Sequence, residues 1–218
     1  CRLLAGTAEY LSKQPHPEAE EILEISQKEL EQASLLKSPH DVLAVFKRES
    51  TDAFPSPADA ASAKTLALAL DDIQDPGNLG TIIRLADWFG IEDIYCSLHT
   101  ADAFAPKVIQ ATMGAIARVR IHYVNLPDFL NGLPEEIPIY GTFLEGNNLY
   151  NERLTDNGIL IMGNEGNGIS KETERFITHR LFIPSYPTSR QTSESLNVAV
   201  ATAIACAEFR RQSLFSKS

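Results

Sequence analysis

The sequence predicts an α/β fold: a mostly parallel sheet with helices on both faces, preceded by a small, partial α/β domain. From residue 64 onward, short apolar runs recur that have no polar face, as is typical of parallel strands buried under helices. Helical stretches alternate with these runs, which favours helical crossovers between parallel strands. A Pro-, Ser- and Ala-rich stretch over 54–63 separates this part from the residues before it.

Six apolar runs are predicted to be strands of the sheet: 66–70, 94–96, 119–121, 137–140, 159–162 and 181–183. Helices are predicted over 79–89, 106–113 and 195–212. Pro106 suits the first turn of its helix, because the amide proton that proline lacks would have no helical partner there.

The expected domain organisation has three parts: residues 1–53, a linker over 54–63, and a large domain over 64–218. The linker lacks apolar periodicity. Residues 1–53 are too few for a robust core of their own, although 42–46 is a compact strand candidate. Since the chain begins with Cys1 rather than Met, we expect a leading segment upstream and interpret 1–53 as the end of a small α/β domain.

The composition is that of an ordinary globular protein, with 44% apolar and 22% charged residues among 218. No apolar run approaches the roughly 18 residues that a membrane-spanning helix needs, and no secretory signal pattern is visible. Cys1, Cys96 and Cys206 are far apart and form no Cys-x-x-Cys pair, so neither a zinc site nor a disulfide framework is indicated. We expect a cytoplasmic protein with free thiols, and no bound metal.

The net charge of −10 argues against a protein that coats nucleic acid without specificity, because such binding depends on Lys and Arg. Residues 1–63 carry 6 basic and 11 acidic side chains, and residues 64–218 carry 13 and 18, so neither part is basic. Any contacts to nucleic acid must therefore be local, or must come from an upstream segment or a partner subunit.

The first of three candidate motifs spans 75–86, directly after a predicted strand. Asn78 is expected to cap the following helix, and Gly80 permits close approach of another backbone or a ligand. Arg84, six residues after Asn78, carries a guanidinium suited to phosphate. A capped helix with a surface arginine also explains this motif when it is taken alone.

The second motif, 160–170, takes a buried strand into a loop with three glycines around one carboxylate, Glu165. Exposed backbone groups near Gly163 and Gly168 can bind the polar edges of a ligand. Ser170 is a suitable N-cap for a helix that follows. The spacing matches neither common phosphate-binding loop, and a plain turn with a solvated Glu165 is the alternative.

The third motif runs from Ile183-Pro184 through a polar loop into an Ala-rich helix that begins near Ser195. Ser193 or Ser195 is expected to cap this helix. Helix propensity alone explains most of the alanines. Asn197 in the first helical turn is harder to explain in that way, because Asn is a poor residue for a helix interior.

Taken together and in this order, the motifs resemble the SpoU/TrmH family of RNA 2′-O-ribose methyltransferases, in the SPOUT superfamily. The family pattern is Asn-x-Gly-x-x-x-Arg, then Gly-x-Glu-x-x-Gly, then Ile-Pro followed by Ser-Leu-Asn-Val. Here the pattern falls on Asn78 to Arg84, Gly163 to Gly168, and Ile183-Pro184 with 195–198. The resemblance covers about 65–212, and 25–30 with 37–45 are similar to the tail of the family's substrate-binding domain.

The resemblance implies a C-terminal trefoil knot that forms the pocket for S-adenosylmethionine, and a homodimer with the active site at the subunit interface. It implies that RNA is the substrate. The cofactor-binding residues that it implies are Thr142, Leu144, Gly163, Gly168, Ile183 and Leu196. The catalytic residues that it implies are Arg84, Asn78, Glu165, Ser195 and Asn197.

The family implicates Arg84 in activation of the hydroxyl. A guanidinium rarely loses its proton, so we favour Arg84 as a phosphate ligand that stabilises developing alkoxide charge over Arg84 as a base. The other four catalytic residues are expected to position Arg84 and the ribose.

Three alternatives stay open. The substrate is expected to be large-subunit ribosomal RNA, because 1–53 resembles the substrate-binding domain common in that branch, but transfer RNA is the alternative. A non-catalytic RNA-binding or ribosome-assembly protein with a vestigial cofactor site is the second. A generic nucleotide-binding domain is disfavoured, because the sequence lacks phosphate-loop signatures. The loop between Pro184 and Ser195 is longer than the family pattern suggests, which leaves substrate choice in doubt.

Overall fold

The computed structural model of the protein describes residues 1–14, 18–34, 36, 38–47, 65–187 and 195–215. The chain divides into two compact units, Cys1–Ala53 and Phe54–Ser218. The predicted linker over 54–63 lies outside the described residues, as do positions 188–194 of the long loop before Ser195.

The N-terminal unit contains a three-stranded sheet with the order β2-β1-β3. Strand β1 pairs in parallel with β2 and antiparallel with β3. The strands are β1 (Leu3–Gly6), β2 (Glu21–Glu24) and β3 (Val42–Val45), and the helices are α1 (Ala8–Ser12) and α2 (Gln27–Ala33). The strand predicted over 42–46 is confirmed as β3, which ends one residue earlier.

The larger unit contains a seven-stranded sheet with the order β6-β5-β4-β9-β7-β10-β8, in which every pairing is parallel. All six predicted strands are present, and their ends shift by at most three residues. The two-residue strand β8 is additional. The strands are β4 (Leu66–Asp71), β5 (Asp93–Ser97), β6 (Arg120–Val124), β7 (Ile139–Phe143), β8 (Asn147–Asn148), β9 (Gly158–Gly163) and β10 (His179–Phe182).

Three longer helices and two short ones accompany this sheet. The predicted helices over 79–89, 106–113 and 195–212 are confirmed with shifted ends, and Pro106 is the first residue of its helix as expected. The helices are α3 (Pro76–Trp88), α4 (Pro106–Thr112), α5 (Leu126–Asn131), α6 (Lys171–Glu174) and α7 (Val198–Phe215), with a 3₁₀ turn at Ala115–Ala117. No described helix has both the length and the apolar character that a membrane crossing requires.

The alternation of side chains along β4 explains why the sheet is covered on both faces. Leu66, Leu68 and Leu70 pack in one core cluster with residues of α3, α4 and α7. Ala67 and Ala69 point to the opposite face and pack in a second cluster with residues of α5. Both faces of the strand are therefore buried, as the apolar run predicted.

Gly80 sets how closely α3 and α4 approach. A Cβ atom at Gly80 would lie 2.5 Å from the Cβ of Ala111 and 2.8 Å from the carbonyl oxygen of Val108. The expectation that Gly80 permits a close backbone approach is thus confirmed, and the approaching group is a neighbouring helix.

The strand order brings the motifs together. Strand β9 lies between β4 and β7, and β10 lies between β7 and β8. Each of these two strands therefore separates two strands that precede it in the sequence. Because all strands are parallel, the carboxyl ends of β4, β9, β7 and β10 meet at one edge of the sheet. The first motif follows β4, the second follows β9, and the third follows β10. This edge is where open α/β sheets bind ligands.

Candidate active site

A cavity of about 620 Å³ lies at the carboxyl ends of β7, β9 and β10, beside the start of α7. All six residues predicted to bind the cofactor line it: Thr142, Leu144, Gly163, Gly168, Ile183 and Leu196. Two further lining residues, Phe143 and Phe182, lie outside the three motifs, and sequence reasoning missed them.

The loop over 163–168 forms one wall of this cavity and depends on a bare glycine. A Cβ atom at Gly163 would lie 2.3 Å from the carbonyl carbon of Gly168 and 2.3 Å from the nitrogen of Ile169. Gly168 has φ +70°, in the region that favours glycine. The two glycines therefore let the chain fold back on itself at the end of β9.

Asn164, between these glycines, organises the loop and was missed by the sequence reasoning. Its side-chain oxygen accepts hydrogen bonds from the backbone nitrogens of Gly166 (2.9 Å) and Asn167 (3.0 Å). Its Nδ2 donates to the carbonyl oxygen of Asp72 at 2.7 Å, which ties the loop after β9 to the loop after β4. An asparagine two residues before a glycine is compatible with a turn in which the side chain binds the backbone ahead, and this signal could have identified it.

The start of α3 differs from the prediction. The Oδ1 atom of Asp75 accepts a hydrogen bond from the nitrogen of Asn78 at 2.7 Å, so Asp75 caps the helix. The prediction that Asn78 is the cap is wrong, because the helix begins at Pro76 and Asn78 already lies in its first turn. Its side chain is consequently available to the other motifs.

The start of α7 also differs. The Oδ1 atom of Asn197 accepts hydrogen bonds from the nitrogens of Ala199 (3.0 Å) and Val200 (3.2 Å). The prediction that Ser195 caps this helix is wrong, since Asn197 precedes the first helical residue and Asn is among the best capping residues. The alternative cap, Ser193, lies outside the described residues. Ser195 instead lines the cavity.

A chain of hydrogen bonds joins the three motifs. Asn197 Nδ2 donates to Asn78 Oδ1 at 2.9 Å, and Asn78 Nδ2 donates to Glu165 Oε1 at 3.0 Å. The Glu165 carboxylate also accepts longer bonds from the backbone nitrogens of Gln74 (3.5 Å) and Asp75 (3.4 Å). Glu165 is therefore bound near the positive end of α3, which excludes a merely solvated turn carboxylate.

A buried carboxylate and a helix cap hold the far end of the second motif. Asp71, the last residue of β4, accepts a hydrogen bond from the backbone nitrogen of Ser170 at 2.8 Å. Ser170 caps α6 by accepting from the nitrogen of Thr173, as its sequence position predicted. Both ends of the loop are thus fixed to the sheet.

Arg84 lies on the exposed side of α3 and is not among the cavity-lining residues. Within the described residues, its side chain has no hydrogen bond or ion pair, whereas the side chains of Arg118 and Arg120 are paired with Asp87 and Asp93. No side-chain hydrogen bond joins Arg84 to another predicted catalytic residue within the described residues, and the expectation that those residues position Arg84 stays a prediction. Its guanidinium is left available to a ligand or to a second subunit.

The thiols and carboxylates suggest no other reactive centre. All three cysteines are free, and burial raises the pKa of Cys96 and of Cys206, the latter to about 12. These buried thiols are therefore poor nucleophiles. In the part of the chain that the structure describes, no three His, Cys, Asp or Glu residues are grouped so as to hold a metal ion.

Residues 65–207 match the model of the SpoU rRNA Methylase family. The chain belongs to this family. Over 150 residues it is 36% identical to the 23S rRNA (guanosine(2553)-2′-O)-methyltransferase RlmP of Bacillus subtilis, an alignment that covers 68% of this chain and 59% of the relative. Over 154 residues it is 34% identical to the 23S rRNA (guanosine-2′-O-)-methyltransferase RlmB of Neisseria meningitidis, which covers 69% and 60%. The alignments thus span less than two thirds of each of these relatives.

Solved structures of SpoU relatives have the same fold. A putative RNA methyltransferase of the TrmH family from Porphyromonas gingivalis has a TM-score of 0.82 and 43% identity, and the match covers 97% of this chain and 83% of that one. The AdoMet-bound rRNA methyltransferase of Sinorhizobium meliloti has a TM-score of 0.81 and 28% identity, with 96% and 79% covered. The cavity and the hydrogen-bonded chain both lie within the segment that matches the SpoU family model.

Proposed function

We propose that this SpoU-family chain transfers a methyl group from S-adenosylmethionine to a ribose 2′-hydroxyl of large-subunit ribosomal RNA. The observation that carries the proposal is the hydrogen-bonded chain from Asn197 through Asn78 to Glu165, which joins all three motifs beside one cavity. The names of the 23S rRNA relatives support the choice of reaction and substrate.

The cavity fits the cofactor in size and chemistry. Its volume of about 620 Å³ falls within the usual range for small-molecule sites. Backbone groups at Thr142, Gly163 and Ile183 lie at strand ends, where they can bind the polar edges of the adenosine and methionine parts. Leu144, Gly168 and Leu196 complete the proposed cofactor-binding set. When bound, S-adenosylmethionine supplies a methyl group on a sulfonium, which is already electrophilic.

The residues of the chain then have to align the nucleophile and stabilise its charge. As the carbon–oxygen bond forms, the carbon–sulfur bond would break, S-adenosylhomocysteine would leave as a neutral thioether, and the hydroxyl proton would pass to solvent water. Alignment of the two reactants is the main requirement for such a transfer. Ser195 lines the cavity, and the bound Glu165 fixes the loop that faces it, so both are suited to orient the ribose. Arg84 would bind a substrate phosphate and stabilise the developing alkoxide.

We propose a homodimer, because one chain leaves the site incomplete. Arg84 is exposed and lies outside the cavity lining, so a second subunit is required to place it beside a cofactor. The outer side of α7 offers an apolar stripe with heptad spacing: Val200, 48% exposed, Ala207, and Leu214, 74% exposed. Trp88 on α3 is 83% exposed. Burial of these side chains against a second copy would bring the two active sites to the interface.

We also propose that the segment after β9 forms the trefoil knot that the family resemblance implies. The position of β9 between β4 and β7, and of β10 between β7 and β8, supports it. A cytoplasmic location suits the free thiols.

Transfer RNA is the second candidate substrate. The TrmH/SpoU tRNA modifying enzyme of A. aeolicus, 28% identical, has a TM-score of 0.59, and the match covers 72% of this chain and 80% of that one. Radiolabelled S-adenosylmethionine, incubated with unmodified total RNA that is then separated by size, decides between the two. We expect label in large ribosomal RNA. Label in transfer RNA would overturn the substrate, and cofactor binding without any label would favour an RNA-binding or assembly protein.

A further inference from the structure

The first residue of the loop after β4 has an unusual backbone conformation. Asp72 directly follows β4 and has φ +62°. Residues other than glycine seldom adopt this left-handed conformation, because the Cβ atom crowds the backbone, although aspartate tolerates it better than most. Such a conformation costs free energy and persists only where the surrounding structure fixes it. The groups that bind Asp72 therefore have to hold it in place.

Two buried hydroxyl groups at the end of β5 hold Asp72 from one side. Ser97, the last residue of β5, is 9% exposed, and Thr100 is 6% exposed. The backbone nitrogen of Asp72 donates to Ser97 Oγ at 2.9 Å. Thr100 Oγ1 donates to the carbonyl oxygen of Leu70 at 3.2 Å and lies 3.1 Å from Ser97 Oγ. Since a hydroxyl has one proton to donate, Ser97 donates to Thr100 and accepts from Asp72.

The second motif binds Asp72 from the other side. The carbonyl oxygen of Asp72 accepts a hydrogen bond from Asn164 Nδ2 at 2.7 Å. The next residue, Glu165, accepts bonds from the backbone nitrogens of Gln74 and Asp75, which belong to the same loop as Asp72. A negative φ at Asp72 would redirect the chain that follows it. The backbone groups that bind Glu165 would then move with it.

We propose that Ser97 and Thr100 are positioning residues for methyl transfer, which act through the left-handed backbone of Asp72 on the place of the Glu165 carboxylate. Glu165 in turn binds the side chain of Asn78. The inference rests on the proposed function and deepens it, because it adds residues that neither belong to the three motifs nor line the cavity. Since the cavity lies at the ends of β7, β9 and β10, the effect is expected on transfer more than on cofactor affinity.

A double-mutant cycle between Ser97→Ala and Asp72→Gly tests this. Ser97→Ala removes the oxygen that accepts from the Asp72 backbone, and we expect it to slow single-turnover methyl transfer, at saturating S-adenosylmethionine and RNA, by at least about tenfold. Glycine adopts a positive φ without steric cost, so the conformation no longer needs Ser97 once Asp72→Gly is present. In that background we expect Ser97→Ala to slow transfer by less than about threefold. A loss of stability alone would not depend on the residue at position 72 in this way.

Thr100→Val and Thr112→Val form a matched pair. Each replaces a buried threonine hydroxyl by a methyl group of similar size, and Thr112, 0% exposed, donates to the carbonyl oxygen of Ile109 at 2.8 Å within α4. We expect Thr100→Val to slow transfer by at least about threefold, because the Ser97 hydroxyl loses its acceptor. Thr112→Val should transfer at the wild-type rate. Calorimetric titration should give both variants an affinity for S-adenosylmethionine within about twofold of the wild type.

The outcomes separate the inference from the proposed function. If the wild type transfers and Ser97→Ala has the same effect in both backgrounds, or none, only the inference is overturned. Loss of transfer in Asp72→Gly alone also overturns it, because the carboxylate and not the backbone conformation would then be required. Equal rates in Thr100→Val and Thr112→Val overturn it as well. If the wild type neither binds S-adenosylmethionine nor methylates RNA, the proposed function fails and the inference fails with it.

Discussion

The Nδ2 atom of Asn197 lies 2.9 Å from Oδ1 of Asn78, although 119 residues separate the two in sequence. The same Asn197 side chain uses its oxygen to cap α7. One amide therefore has two tasks, stabilising a helix and orienting the residue that holds Glu165. The two tasks use different atoms and can be separated by mutation.

Asn197→Asp should separate them. Aspartate still accepts the two backbone hydrogen bonds of the cap and suits a helix N-terminus, but it cannot donate to Asn78. We expect a melting temperature close to that of the wild type and methyl transfer at least about tenfold slower. Asn197→Ala should also lose the cap, which costs about 1 kcal/mol of stability.

Urea unfolding and single-turnover methyl transfer measure the two effects. Asn131→Asp, an exposed position at the end of α5, is the control for the added charge. Full activity in Asn197→Asp would show that the bond to Asn78 is dispensable.

Arg84→Ala tests the role of the exposed cation. Because Arg84 does not line the cavity, its removal should leave the affinity for S-adenosylmethionine within about twofold while methyl transfer to RNA falls by at least about a hundredfold. Arg84→Lys should restore little of the lost methyl transfer, because an ammonium lacks the planar guanidinium group that binds phosphate through two hydrogen bonds. Arg153→Ala, exposed on a loop, serves as the control. Unchanged turnover in Arg84→Ala would remove Arg84 from the mechanism.

Gly163→Ala tests the tight turn after β9. The new methyl group would lie 2.3 Å from backbone atoms that cannot move independently, so we expect a loss of about 1–3 kcal/mol in the free energy of unfolding and weaker cofactor binding. Gly166→Ala is matched to it, because it lies in the same loop with its nearest atom, Asn164 Oδ1, at 3.6 Å. In denaturant unfolding and cofactor titration, we expect Gly166→Ala to have the stability and the cofactor affinity of the wild type. Equal stability of the two variants would contradict the close approach.

The carboxylate of Asp93, which lies outside the candidate active site, is expected to make the stability of the fold depend on pH. Burial raises the pKa of Asp93, but hydrogen bonds from His122 and Arg120 outweigh it and hold the pKa at about 2, below its ordinary 3.8. The folded state thus favours the charged form, and this contributes about 2 kcal/mol above pH 4. The contribution should disappear as the pH falls from about 4 to about 2.

Unfolding of the wild type and of Asp93→Asn, followed from pH 7 down to pH 2, checks the direction of this change in stability with pH. The wild type should be the more stable at neutral pH, and the difference should shrink through the acid range. Asp156→Asn, at an exposed position, should show no such convergence. A difference that grows in acid would contradict the assignment.

Most of the fold could be predicted from the sequence, because its strands are apolar on both faces and its helices start at recognisable residues. The run at Leu66–Asp71 has this pattern, and Pro106 marks the start of α4. Boundaries were less certain where a polar residue extends a strand. His179 begins β10 although no apolar pattern includes it. The order of the strands depends on long-range pairing, which periodicity does not encode.

The sequence predicted which residues form the candidate site better than it predicted the role of each. The motif residues around the cavity were identified, but the capping roles of Asn78 and Ser195 were assigned wrongly. The first residue of a helix shifts by one to three positions with the residue that caps it. Asp75 caps α3 in place of Asn78, and Asn197 caps α7 in place of Ser195. Phe143 and Asn164 were missed, because a strand-end aromatic and an asparagine in a glycine loop are common in proteins without such a site.

The chemical position of the transferred methyl group distinguishes ribose methylation from base methylation. Large ribosomal RNA, labelled by the wild-type chain from radioactive S-adenosylmethionine, is hydrolysed in alkali and its products are separated. A 2′-O-methyl group blocks cleavage at the neighbouring phosphate, so we expect the label to reside in alkali-resistant dinucleotides. Label recovered in ordinary mononucleotides would place the methyl group on a base and would contradict ribose methylation.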